Sequence, residues 1–153
     1  MRSNNMFSNQ NEYQDMCNLL DEWTNGPQHI KNAFIKFKDN LLKKENITVN
    51  FVSRPGITYS LRATVKENPQ VDKPLFAMMD IIDDDPENRW LSVCFFGEMI
   101  SDPKDNGDFV PGGLLGEDAC CFDFEEDDNT VFQYIQQRID EAYAYMSPKT
   151  TKS

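Results

Sequence analysis

A chain of 153 residues that is 39% apolar, 12% aromatic and 27% charged suits one globular domain and is too aromatic for a disordered segment. Its net charge of −11 argues against direct contact with nucleic acid or a membrane surface, since both present negative charge. The longest apolar runs, such as Leu75 to Met79, fall far short of the roughly 20 residues a membrane span requires.

The expected layout is a flexible N-terminal arm over residues 1–9, one α+β domain over 10–146 and a flexible tail over 147–153. Met1-Arg2-Ser3-Asn4-Asn5 leads into no apolar segment, so a cytoplasmic location is expected. Cys17, Cys94, Cys120 and Cys121 have no regular spacing, which in that compartment predicts reduced thiols.

Tyr13, Met16, Cys17, Leu20 and Trp23 recur at helical spacing and predict a first helix of about four turns. Asn25-Gly26-Pro27 ends it. Ile30, Phe34, Phe37 and Leu41 predict a second helix, with Lys43 and Lys44 complementing its dipole. The period then switches to two. Ile47, Val49 and Phe51, then Ile57, Tyr59, Leu61, Ala63 and Val65, flank Arg54-Pro55-Gly56 and predict an antiparallel hairpin with one wet face. After a polar loop (Glu67 to Lys73), strands are predicted from Leu75 to Ile82 and from Arg89 to Phe96. Their continuous apolarity predicts central positions with both faces covered. Gly97 to Asp118 lacks periodicity and reads as a long loop, and Ala119 to Phe124 as a short fifth strand at the sheet edge. Val131, Phe132, Ile135, Ile139, Ala142 and Tyr143 predict a last helix. The fold class is therefore α+β: a two-layer arrangement of an antiparallel four- to five-stranded meander sheet, two N-terminal helices and one C-terminal helix.

Few residues suggest chemistry. His29 is the sole histidine, so any histidine-dependent triad must use it. Zinc spacing motifs are missing from the sequence. Adjacent side chains on a strand point to opposite faces, so Cys120 and Cys121 are expected as two free thiols. Asp102, Asp105 and Asp108 around Gly107 offer the oxygen ligands a hard cation takes, but Lys104 and Gly113 break the EF-hand pattern. Gly112-Gly113-Leu114-Leu115-Gly116 lacks the Lys-Ser/Thr of a phosphate loop, and no cofactor is expected. Glu98, directly after an apolar strand and Gly97, is the candidate catalytic carboxylate. Trp23 and Trp90 are expected in the core.

The charge is uneven. Residues 1–73 carry ten Lys/Arg and eight Asp/Glu, whereas residues 74–153 carry five and eighteen, a net charge of −13. This predicts a non-enzymatic protein-interaction or regulatory module, monomeric or homodimeric, that meets a basic protein partner. The expected acidic face comprises Asp83, Asp84, Asp85, Glu87, Glu117, Asp118, Glu125 and Glu126. The alternative is a small ligand-binding protein or hydrolase built on Glu98 and the Gly97–Asp118 loop.

Overall fold

The computed structural model describes residues 6–66 and 75–147. Residues 1–5 of the expected arm, the expected Glu67–Lys73 loop and residues 148–153 of the expected tail lie outside the described residues.

Helix α1 (Gln10–Glu22) starts where the Asn9 side chain accepts from the backbone N–H of Asn11 at 2.8 Å. It buries Met16 and Leu19 and ends at the buried Trp23. Helix α2 (Gln28–Leu42) begins after Pro27 and buries Ile30, Phe34, Phe37 and Leu41, the stripe its sequence predicts. Helix α3 (Asn129–Met146) is capped by Asp128, whose carboxylate accepts from the N–H groups of Thr130 and Val131.

Among the described residues, six strands form one antiparallel sheet: β1 (Ile47–Arg54), β2 (Thr58–Val65), β3 (Leu75–Ile82), β4 (Trp90–Phe96), β5 (Asp108–Leu114) and β6 (Glu117–Phe124). Their spatial order is β1-β2-β3-β4-β6-β5. The α+β class and the meander through β4 are as the sequence predicts. The central placing of β3 and β4 also agrees with their apolar sequences.

The helices pack against the face carrying Val49, Leu61, Met79, Val93, Phe122 and Phe124, all buried. Phe37 of α2 stacks on Phe132 of α3 at 4.3 Å, and both meet the Phe124 ring of β6 edge-on. The alternate residues of β3 and β4 point the other way. Cys94 and Phe96 of β4 are buried on that side as well, but Met78, Asp80, Ile82, Trp90 and Ser92 are only half-buried, so the helix-free face is covered only in part. Trp90 accordingly sits on the helix-free face, not in the core.

Three further expectations are corrected. Residues 6–9 do not belong to a free arm: Phe7 is buried and bridges to Val49, and the N–H of Ser8 donates to the Val49 carbonyl at 3.1 Å. Strand β1 is a sheet edge, so its outer hydrogen-bonding groups are open to this segment. The Gly97–Asp118 loop contains a sixth strand, β5, which takes the sheet edge, so the strand expected there, β6, lies between β4 and β5. β5 pairs with β6 through a two-residue turn at Leu115 (φ 52°) and Gly116 (φ 83°), the left-handed pair that matches sheet twist. Finally, Cys94 and Cys121 form a disulfide. They stand directly opposite on β4 and β6, with Cα atoms 4.1 Å apart, as side chains of a narrow antiparallel pair do. Cys17 and Cys120 remain free thiols.

Candidate functional site

Strand register divides the expected acidic face in two. Leu91 pairs with Phe124 at one end of the β4–β6 ladder, and Phe96 pairs with Ala119 at the other. Five residues of strand separate these ends by about 17 Å. The β3–β4 turn, with exposed Asp84, Asp85 and Glu87, and the segment with exposed Glu125 and Glu126 lie at the first end. Glu98, Glu117 and Asp118 lie at the second. The structure therefore gathers the acids into two clusters and not one face.

Asp83 belongs to neither cluster. It is 2% exposed, accepting from Arg89 Nε at 2.7 Å and from the Gly56 backbone N–H at 2.8 Å. The Arg89 guanidinium in turn lies 5.1 Å from the Trp23 ring centre and 5.8 Å from that of Tyr59. This network ties the β1–β2 turn to the β3–β4 turn, so Asp83 is a structural residue and is removed from the interaction face. Burial pushes the nearby Tyr59 hydroxyl above its ordinary range, and the Asp83 charge adds to the rise. Asp85 accepts from the Asn88 side chain at 2.9 Å and the Glu87 N–H at 3.2 Å, which hold its carboxyl below the usual range.

The second end carries a cleft of about 470 Å³. Phe96, Phe109 and Cys120 supply its apolar surface, and Glu98, Glu117 and Asp118 its carboxylates. Glu98 lies in a single 3₁₀ turn, Gly97–Met99, directly after β4. Asp118 also accepts from the Gly112 N–H at 3.1 Å, bracing the bulged part of the hairpin. The hairpin exposes Phe109 (67%), level with Phe95 of β4, and Leu115 (72%), which lies beyond the end of β4. Large apolar side chains in this state commonly mark contact surfaces when they cluster.

Asp102, Asp105 and Asp108 do not converge on a cation. Among the described residues no three His, Cys, Asp or Glu side chains are grouped to hold a metal ion. Asp102 instead accepts from the N–H groups of Asn106 at 3.0 Å and Gly107 at 2.8 Å, and from the Tyr134 hydroxyl. Burial pushes its carboxyl upward, but these donors and the Arg138 charge outweigh it and leave the carboxyl below the usual range. Arg138 is buried with its guanidinium 4.5 Å from the Tyr134 ring centre. It lies 3.1 Å from Glu141 as an ion pair without hydrogen-bond geometry. The acidic loop is thus fastened to α3. Gly107 lets it lie close: a Cβ there would stand 2.5 Å from Cys120 Sγ and 2.9 Å from the Phe122 ring. Asp105 and Asp108 are exposed.

His29 closes a smaller cavity of about 160 Å³ between the starts of α2 and α3, its Nε2 2.7 Å from the Glu125 carbonyl oxygen. It ties two elements together.

Sequence reasoning missed Phe109, Leu115, Tyr134 and Asp80. Asp80 sits on the helix-free face with one carboxylate oxygen buried and unpartnered. Burial raises its pKa, against the hydrogen bond from Ser60 and the charges of Arg62 and Arg54. An acid inside the apolar run Leu75–Ile82 was the available signal. Compared with known proteins, the chain matches no family model, no curated protein sequence and no solved structure, and its own residues carry the functional reading.

Proposed function

We propose that this protein is a non-enzymatic interaction module that docks a basic segment of a partner protein at the β5–β6 end of its sheet. The supporting observation is the cleft itself, which sets the exposed Phe109 beside Glu98, Glu117 and Asp118. A lysine or arginine side chain has an apolar stem and a cationic head, and this cleft offers a surface for each. Leu115 at the hairpin tip extends the apolar part of the contact. The Asp84–Glu87 and Glu125–Glu126 cluster then acts at longer range, by raising the rate of encounter with a cationic partner.

The test uses a short amphipathic peptide alternating lysine or arginine with leucine. Binding that weakens as salt rises, and that is lost in Phe109→Ser and in the double variant Glu117→Lys/Asp118→Lys, is the expected result. Equal binding by wild type and both variants would remove the support. A small cationic ligand is a second reading, because a cleft of about 470 Å³ is within the range of small-molecule sites. Competition by spermidine with the peptide, at the same residues, would favour it. Hydrolysis has less support: Glu98, Glu117 and Asp118 are all exposed, without the apolar burial that makes one of two carboxyls an acid.

A further inference from the structure

All seven residues that line the cleft, from Phe96 to Cys120, lie between Cys94 and Cys121 in the sequence. The disulfide therefore closes a loop containing the whole proposed docking site, including the 3₁₀ turn, the acidic loop, β5 and the hairpin tip. Among the described residues β5 is an edge strand paired only with β6, and it is exposed from Asp108 to Gly113. When β6 begins to peel from β4 at its N-terminal end, the covalent link stops the opening at Cys121. Without the link, opening can run on along β6.

The two sulfurs are not equivalent. Both residues lie on the helix-free face, where Cys121 is half-buried and Cys94 is 7% exposed. Ser92 Oγ is 3.6 Å from Cys94 Sγ. A reductant has better access to Cys121, and the Ser92 hydroxyl is placed to donate to the sulfur that leaves. Cys120 faces the opposite side of the strand, so it does not resolve the bridge itself.

We infer that the Cys94–Cys121 disulfide is a reversible redox switch that holds the cleft in its docking form and is opened by a dithiol reductant. A reductant thiolate attacks Cys121 Sγ, forms a mixed disulfide and breaks the protein's S–S bond. The Cys94 thiolate that departs takes up a proton. The second thiol of the reductant, as its thiolate, then attacks its own sulfur in the mixed disulfide and releases Cys121 as a thiol. The protein gains two electrons and two protons, and the dithiol is oxidised to a cyclic disulfide. This role in regulating the cleft rests on the docking function proposed above.

The test treats the full chain, under native conditions, with dithiothreitol and follows thiol number, amide hydrogen exchange and binding of the basic amphipathic peptide. Reduction is expected to speed exchange over residues 108–124 by about tenfold while exchange in β1 and β2 stays unchanged. Peptide affinity should fall by a similar factor, and reoxidation should restore both. A Cys17→Ser background should respond like wild type, and Cys94→Ser/Cys121→Ser should match the reduced protein without added dithiol. Should that last variant fail to fold, chemical reduction of the wild-type chain remains decisive. Resistance to dithiothreitol under native conditions, unchanged exchange in 108–124, or equal loosening of β1 and β2 would overturn the switch. If exchange responds but peptide affinity does not, regulation of docking is overturned. If the oxidised protein binds no basic peptide, the docking function fails while the exchange result stands by itself.

Discussion

Strands β1–β4 and the β5–β6 hairpin belong to one sheet, yet they are held in different ways. The first region is sealed by three helices, and its helix-facing residues Val49, Leu61, Met79, Ile81 and Val93 are fully buried or nearly so. The hairpin places Phe122 and Phe124 in that core, but its outer strand has six exposed residues in succession. A disulfide, a bulge and the Asp102–Tyr134 contact fasten this end. The difference separates a scaffold that derives stability from apolar burial from an end that keeps apolar and acidic groups in solvent. Substitutions in the two regions test that difference.

The largest effect is expected in the scaffold. Asp83→Ala strands the mostly buried Arg89 guanidinium, whose side chain is only 12% exposed, and should cost about 3–5 kcal/mol. A midpoint of thermal unfolding within a degree of wild type would mean that this pair does not hold the two turns together. Next, replacing both Cys94 and Cys121 by Ala should cost about 2–4 kcal/mol. Calorimetry reads this as a drop of roughly 10 °C. A smaller loss than for Asp83→Ala, with faster exchange confined to 108–124, keeps the two regions distinct. Gly107→Ala should cost about 1–3 kcal/mol through overpacking on Cys120 and Phe122. Unchanged denaturant midpoints would contradict that close approach.

The smallest effects are in pH dependence, and they have opposite signs in the two regions. Asp102, in the acidic loop, has a folded-state pKa below its unfolded value. Its contribution is present above the ordinary carboxylate value of about 4 and is lost as pH falls through the folded value. Asp80, on β3, has a raised folded-state pKa. Its contribution is complete below about 4 and is lost as pH rises through the folded value. Asp102→Asn should therefore lower stability at pH 7 and approach wild type at strongly acidic pH. Asp80→Asn should be at least as stable as wild type at pH 7, with the difference closing near pH 3. Melting curves across this range check both, and a shared sign would contradict the assignments.

The same division governs what the sequence reveals. The helices and β1 to β4 are legible because burial of one face imposes a period of 3.6 or 2 on residues such as Ile30, Phe34, Phe37 and Val49. β5 is not legible, because Asp108-Phe109-Val110-Pro111-Gly112-Gly113 buries nothing and its strand character comes from pairing with β6. The Cys94–Cys121 link depends on a register that brings together residues 27 apart. Asp83 reads as one more surface acid in an acidic turn. Only the placement of Arg89, Trp23 and the Gly56 amide shows that it is interior. The candidate site was legible as a segment, Gly97–Asp118, but its apolar half was not, since exposed Phe109 and Leu115 follow no pattern.

Basic partners are proposed to meet the β5–β6 cleft and not the acidic cluster at the opposite end. The direct measurement is a backbone amide NMR titration of the oxidised protein with the basic amphipathic peptide at low salt. Saturable shifts centred on Glu98, Phe109, Leu115, Glu117 and Asp118 are predicted, shrinking as salt is added. Shifts confined to Asp84–Glu87 and Glu125–Glu126, or none at all, would contradict it.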